Sequence, residues 1–423
     1  MSKSIEEICF DIYKSITPQM AKMVIPIIDY VRKLNKKPPI PLREKLCEMK
    51  LPEFEKKVIM LHGVSVGEVL SLESLIKKIK ADFPDYALVL TVGTVTGIQL
   101  AYKKYGEIAD FITYFPLDIY EACKKFVEKI NPSIVLIAET ELWPNFAFAC
   151  QEKNIPLYII NGRISDKSYP SYLKIRNFIK LILKNYTGVF CQSEVDKDRF
   201  ITLGANIKNT DVMKNLKFEI DKKECDIDLK TSGSKVLIAG STHAGEEEII
   251  LKAYKQLRAK VIDLKLLIAP RHLTRLEEVK KAVADAGFKY GLRTEGAVFE
   301  NNINVIILDT LGELSKAYAL ADVAFIGGSF APIGGHNPLE AVIYSKPVIS
   351  GPSIKNFRDI YSTLLRDKAA FVVQDEFELY RTLEKLFYEA RYYEEISKNT
   401  KDCFEKNQGA LEFISNKLKE ILH

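Results

Sequence analysis

The chain has no C-x-x-C pair, no apolar run long enough to cross a bilayer and no strong excess of either charge. Its seven cysteines are scattered over 423 residues, which argues against a disulfide framework or a structural zinc and predicts a reducing, cytosolic compartment. A spanning helix needs roughly 18 to 20 apolar residues in a row, and the N-terminus shows no basic region followed by an apolar core and a cleavage site. The sequence therefore predicts a protein that neither spans a membrane nor is exported. A formal net charge of +5 is too small to imply nucleic acid, although it suits an anionic substrate or membrane surface. Also missing are G-x-x-x-x-G-K-[ST] and a strand-borne G-x-G-x-x-G with an acid downstream, so neither a P-loop nor a dinucleotide fold is supported. The paired aspartates of a metal-dependent sugar transferase stand at no strand end, and nothing calls for a metal or other cofactor.

What is present is a series of short apolar runs with helical patterns between them: "VIMLHGV", "ALVLTVGT", "SIVLIAETE", "PLYIINGRI", "GVFCQSE", then "KVLIAGST", "KLLIAPRH", "NVIILDT", "VAFIGGS" and "PVISGP". Strands apolar on both faces that alternate with helices predict parallel, doubly wound α/β sheets. The series breaks at "FEIDKKECDIDLKTSGS", which reads as a linker between two domains. The expected organisation is a helical segment over 1–45, a first domain over 46–218, a linker over 219–234 and a second domain over 235–423. In "MAKMVIPIIDYVRKL" (Met20 to Leu34) the apolar residues recur at helical spacing, with Arg32, Lys33, Lys36 and Lys37 beside them. Such a helix fits a membrane surface or packing against its own domain equally well.

Nearly every predicted strand ends in small or polar residues, and four of the five histidines (His62, His243, His272, His336) lie in these segments. Ligands of open α/β sheets bind outside the carboxyl ends of the strands. In "HGVSVGE", Ser65 and Glu68 have the spacing of a capping box; Glu68 equally fits a general base. In "AETELWPN", Glu139 and Glu141 share a strand face, a costly pairing unless a cation or donor meets them; Arg163 and Lys217 are candidate partners. "AGSTHAGEEE" offers a Ser241–Thr242 turn to phosphate, and Arg271 offers a guanidinium fork. Asn337 and Pro338 suit a helix start, Gly327, Gly328, Gly334 and Gly335 let backbone approach a ligand, and Glu340 suits ribose hydroxyls.

In order along the chain, "HGVSVGE", "ETELWPN", "NGRIS", "CQSEVDKDRF", "NLKF", "GSTHAGEEE", "APRH", "LGEL" and "GGHNPLEA" resemble the 3-deoxy-D-manno-octulosonic acid (Kdo) transferases of lipopolysaccharide synthesis. The resemblance runs from about His62 to Asp359. It implies a GT-B architecture, two Rossmann-like domains facing across a cleft, with the acceptor on the first and CMP-Kdo on the second. It further implies that Glu68 is the general base, that Glu139 and Lys217 stabilise the transition state, and that Pro270, Arg271, Leu311, Gly312, Glu313, Asn337, Pro338, Leu339 and Glu340 contact CMP. Ser241 and Thr242 would join them at the phosphate. The expected activity is inverting, metal-independent transfer of Kdo from CMP-Kdo to a lipid A precursor (lipid IVA), peripherally on the cytoplasmic face of the inner membrane. A UDP-sugar transferase or epimerase, or a non-catalytic nucleotide-sugar binding protein, would fit the second half alone. Two departures stand out: Lys214 occupies a position where the family usually has glycine, and the N-terminal segment is less apolar than the family's usual anchor.

Overall fold

The computed structural model describes residues 5–261, 263–300 and 302–422, with side chains from residue 8 onward. The chain forms two compact units: unit 1 runs to Glu219 and takes up the chain again from Gln408, and unit 2 is Ile220–Asn407.

Unit 1 is built on β1 (Lys57–Gly63), β2 (Tyr86–Val92), β3 (Phe111–Tyr114), β4 (Pro132–Ala138), β5 (Leu157–Gly162), β6 (Gly188–Cys191) and β7 (Thr210–Val212). They form one parallel sheet in the order β3-β2-β1-β4-β5-β6-β7. Alternate residues of one strand enter different cores: Val58 and Met60 pack on one face with Phe126 and Phe146, Ile59 and Leu61 on the other with Leu72 and Ile76. Helices therefore cover both faces, as continuous apolar strands require.

Unit 2 is built on β8 (Lys235–Thr242), β9 (Leu264–Pro270), β10 (Tyr290–Leu292), β11 (Val305–Ile307), β12 (Val323–Ile326), β13 (Val348–Ser350) and β14 (Ala370–Val372). Its parallel sheet has the order β10-β11-β9-β8-β12-β13-β14. Two doubly wound Rossmann-like sheets were expected, and two are found. The strand order reverses beside β1 and β4 in unit 1 and beside β8 and β12 in unit 2, so the crevice at each switch point is where a ligand belongs.

The structure corrects the expected 235–423 span. Helix Ala410–Leu422 belongs to unit 1, where Ala410, Ile414 and Leu418 pack into the core face of Leu75, Ile76 and Ile79. Its first turn is held by Glu219, whose Oε1 accepts from Gly409 N and Ala410 N, both at 2.6 Å. A carboxylate there also complements the helix dipole. The apolar spacing of this helix does not by itself say which core it joins. The stretch 220–234 carries neither helix nor strand, but Ile227 and Leu229 are buried.

Helix Ile5–Leu34 docks through its first half: Phe10 stacks on Phe148 at 4.3 Å, Tyr13 donates to Asp118 at 2.9 Å, and Lys14 Nζ lies 3.2 Å over the Tyr120 ring. Ile8, Ile12, Ile16, Met20, Met23, Val24, Ile27, Val31 and Leu34 stay exposed. Among the described residues no helix is long and apolar enough to cross a membrane.

Candidate functional site

At the end of β1 the chain turns into helix Val66–Ser71 through a closed capping box. Ser65 Oγ accepts from Glu68 N at 3.4 Å, and the Glu68 carboxylate accepts from Val64 N at 2.7 Å and from the Ser65 hydroxyl at 2.9 Å. The cap fixes the carboxylate at the strand end, and each oxygen keeps a second acceptor site for a proton. Both roles read from the sequence are thus compatible in one group.

β4 is followed at once by Glu139, whose φ of 59° is left-handed, a conformation costing a non-glycine residue roughly 1–2 kcal/mol. Two residues on, Glu141 is half-buried, and its carboxyl is pushed up to about 7, first by burial and then by Glu68 and Glu139. The three carboxylates therefore share one electrostatic neighbourhood. Lys217 lies on the single 3-10 turn Leu216–Phe218, where Asn215 Oδ1 accepts from Lys217 N at 3.0 Å and Asn161 Oδ1 accepts from Leu216 N at 3.1 Å. Asn161 is fully buried at φ 53°. It positions the Lys217 turn, a role the sequence signalled only as a polar strand end.

His62 faces the core. Its Nδ1 lies 3.1 Å from Thr91 O, and burial pushes the imidazole down to about 3. A neutral ring donating from Nδ1 to the Thr91 carbonyl leaves Nε2 a buried acceptor with no partner among the described residues. It packs on Phe115 at 4.0 Å, and Phe115 lies 5.8 Å from Trp143, whose buried Nε1 likewise has no partner among the described residues.

In unit 2, β8 passes through Ser241, left-handed at φ 56°, to Thr242. The buried Thr242 hydroxyl is already used: it donates to Glu247 Oε1 at 2.7 Å, and Glu247 takes a two-pronged contact from Arg275 at 3.0 and 3.1 Å. The Thr242 hydroxyl therefore has no donor left for a phosphate, and the Thr242 carbonyl accepts from Arg271 N at 3.0 Å.

The glycine loop after β12 differs from expectation in the same way. Its amides already hold an anion, the Glu246 carboxylate, which is 1% exposed. Glu246 accepts from Gly328 N at 2.7 Å, Ser329 N at 2.9 Å, Phe330 N at 2.8 Å and, more weakly, Ala331 N at 3.4 Å, and also from His243 N at 2.9 Å. An internal carboxylate occupies the loop whose glycines suggested close approach of a ligand. Gly327 is required because a Cβ there would meet Ser241 O at 2.4 Å.

The turn through Gly334 (φ 108°) and Gly335 (φ 76°) brings His336 onto His243, with Nε2 to Nε2 2.9 Å and the rings stacked. At that distance one imidazole donates and the other accepts, so a single proton lies between the two Nε2 atoms. Burial lowers both pKa values, that of His336 to about 4, with His243, Arg271 and His272 adding to it. Asn337 Oδ1 accepts from Leu339 N at 3.1 Å, but the helix that follows, Leu339–Val342, is a single turn. Its contribution is local N–H donors rather than a long macrodipole. Glu340 is raised by burial and drawn back by Lys223 and Arg271. The exposed Arg271 side chain, His336 and Glu340 thus share one environment beside Pro270, while Leu311, 79% exposed, and Gly312 form a turn closed by Glu313 on Thr310 (2.5 Å) and Arg293 (3.2 Å). Among the described residues no three His, Cys, Asp or Glu side chains are placed to hold a metal.

A family model described as "3-Deoxy-D-manno-octulosonic-acid transferase (kdotransferase)" matches residues 41–220. The 3-deoxy-D-manno-octulosonic acid transferase of Haemophilus influenzae is 31% identical over 86% of this chain and 87% of its own length. The chain belongs to the Kdo transferase family. A bifunctional glycosyltransferase/methyltransferase of Fusobacterium nucleatum is 36% identical over 84% of this chain, which spans 56% of that longer protein. In overall fold the chain is similar to UDP-GlcNAc 2-epimerase from Neisseria meningitidis bound to UDP-GlcNAc, with a TM-score of 0.55 at 14% identity over 86% of this chain and 100% of that one. A glycosyltransferase from Rickettsia africae has a TM-score of 0.51 at 13% identity over 87% and 99%. At such identities these two speak for the GT-B class of fold alone. Within this Kdo transferase family member, Lys214 adopts φ 71°, the conformation that glycine takes without strain. Its ammonium donates to Gln408 O at 2.6 Å, which offsets part of the cost.

Proposed function

We propose that the protein transfers Kdo from CMP-Kdo to a lipid A precursor, with inversion and without a metal ion. Glu68 takes the proton of the acceptor hydroxyl as its oxygen attacks the anomeric carbon; the bond to CMP breaks, and CMP leaves with the electron pair on its phosphate. Glu139 and Lys217 stabilise the transition state. Arg271, the Ser241 turn and the Asn337–Glu340 turn, with Pro270 and Leu311–Glu313, hold the cytidine nucleotide, so that donors meet charge as it grows on the leaving group. The Glu68 carboxylate carries this conclusion: in a chain akin to Kdo transferases, Val64 N and Ser65 fix it at the end of β1, in one electrostatic neighbourhood with Glu139 and Glu141. The exposed apolar residues of Ile5–Leu34 support a peripheral site on the cytoplasmic face of the inner membrane.

Mass spectrometry of tetraacylated lipid A precursor after incubation with the protein, CMP-Kdo and EDTA tests donor, acceptor and metal independence together. A gain of one or more Kdo units is expected. An unshifted lipid, with detergent and divalent metal restored, would sink the proposal.

A further inference from the structure

We propose that Tyr13, acting through Asp118, is a positioning residue for the segment that carries Glu139, so that helix Ile5–Leu34 serves the reaction itself and not only attachment to a surface. The proposal rests on the transferase reading above. Between β4 and helix Pro144–Glu152 the chain runs through residues 139–143 with neither helix nor strand. Such a segment has no ladder of its own, and its backbone groups must find partners elsewhere. Beside β4, Glu139 N donates to Ile160 O at 2.9 Å and the Thr140 hydroxyl donates to Arg163 O. In the middle, the buried Tyr186 phenol donates to Glu141 O at 3.0 Å and accepts from Trp143 N at 3.3 Å.

The far end is the first turn of Pro144–Glu152. Its N-cap residue is Trp143, whose indole has no acceptor for the free amides. Asp118 supplies one from another part of the chain. Its Oδ1 accepts from Phe146 N at 3.0 Å and its Oδ2 from Asn145 N at 3.3 Å, while its carbonyl accepts from Asn145 Nδ2 at 2.6 Å. A carboxylate that meets two orphan amides at a helix start acts as the missing cap. Burial raises the Asp118 carboxyl, and Phe146 N, Tyr13 and Asn145 N draw it back.

Helix Ile5–Leu34 closes the arrangement. The Tyr13 hydroxyl donates at 2.9 Å to Oδ2 of Asp118, the oxygen that Asn145 N also reaches, and Thr17 Oγ1 accepts from Asn145 Nδ2 at 3.2 Å. Phe10 and Lys14 lie on Phe148 of the capped helix, at 4.3 and 4.5 Å. The exposed apolar residues Met20, Met23, Val24, Ile27, Val31 and Leu34 all lie beyond Thr17, so the two roles of the helix fall on different residues. Aromatic contact alone would dock it. The two hydroxyls are aimed instead at the cap of the helix that follows Glu139 and Glu141, and a satisfied polar network of this kind fixes one arrangement where apolar contact tolerates sliding.

The test uses the full chain as Tyr13→Phe, Asp118→Asn and the double variant, with CMP-Kdo and the lipid A precursor presented in detergent micelles or in phosphatidylglycerol vesicles. Tyr13→Phe removes one oxygen and keeps the ring against Phe178, 5.7 Å away. It is expected to lower kcat about 10-fold with both KM values unmoved, since a misplacement of about 1 Å costs up to about 10²-fold, and to do so equally in micelles and vesicles. Asp118→Asn should lose at least as much, and the double variant no more than Asp118→Asn, because the hydroxyl acts through the carboxylate. A loss confined to vesicles would leave the helix an anchor only and overturn the proposal, as would a raised acceptor KM with kcat intact or additive losses in the double variant. Should Asp118→Asn fail to fold, Tyr13→Phe and Thr17→Val carry the test, and an unchanged kcat in both overturns it. Trp143, the only tryptophan of the chain, reads the segment without turnover. Its quenching by acrylamide should rise in Tyr13→Phe and Asp118→Asn well below their melting temperatures, and quenching equal to that of the wild type overturns the proposal. Absent transfer by the wild type, with quenching raised in both variants, would support the tie and count against the transferase reading alone.

Discussion

Glu68, Glu139 and Glu141 of unit 1 crowd the ends of β1 and β4, and no described residue hydrogen-bonds the Glu141 carboxyl. Glu246 and Glu247 of unit 2 follow β8 on an equivalent scaffold, but each is 1% exposed and fully engaged by backbone amides, Thr242 and Arg275. What unit 2 leaves outward are His243, His272, His336 and Arg271. The same fold thus presents acid on one sheet and cation or neutral donor on the other. A glutamate after a strand says little by itself; how far the chain's own donors use up its oxygens separates a carboxylate still open to a proton from one built into the architecture.

The sharpest way to break this contrast is Glu68→Gln, expected to lower kcat by about 10²-fold or more while moving stability by less than about 1 kcal/mol, since the amide keeps part of the cap. Near wild-type turnover would take Glu68 out of the chemistry. Glu246→Gln should do the opposite, costing about 2–3 kcal/mol of stability by replacing an ionic acceptor of several amides, with a raised KM for CMP-Kdo and an unchanged acceptor KM. A variant as stable as the wild type in urea unfolding would erase the distinction between the two units.

Glu141→Gln is smaller and depends on pH. Its folded pKa of about 7 lies above the ordinary 4.5, so between these values the folded chain holds a proton that the unfolded chain has released. Stability from this group is full below the lower value and is lost as pH rises through the upper one. The variant should therefore gain roughly 1 kcal/mol at pH 8 and nothing at pH 4, the full shift being discounted because water reaches the group. Thermal melts at the two pH values decide it. Smallest is Lys214→Gly, which removes left-handed strain on the order of 1 kcal/mol and the bond to Gln408 O together. A net change under about 1 kcal/mol is expected, and a larger fall in the melting temperature would mean that the lost bond outweighs the relieved strain.

Ten strands were legible as apolar runs. The four that were not, β3, β7, β10 and β14, are the edges of the two sheets, each only three or four residues long. An edge strand needs neither two apolar faces nor length, so it leaves little pattern. Of the site, the strand-end residues could be read, because polar groups at the end of a buried run are conspicuous. The roles of Glu246 and Glu247 could not be assigned from their acidity, which also fits a helix start. The available signal was register: Glu246 is four residues before Ile250 and eight before Tyr254, and Glu247 four before Leu251, all on the buried face. Carboxylates in an apolar stripe must meet donors inside the fold.

Helix Ala410–Leu422 makes unit 2 an insertion within unit 1, because the chain leaves unit 1 after Glu219 and returns at Gln408. At roughly 5–20 residues per second, synthesis of the intervening segment takes on the order of ten seconds or more. Throughout that time the groove over Leu75, Ile76 and Ile79 lacks its cover, whereas unit 2 has every residue it needs before the last helix is made. The unit that begins first is completed last, and its uncovered apolar face is the surface on which a chaperone or a misfolded neighbour would act.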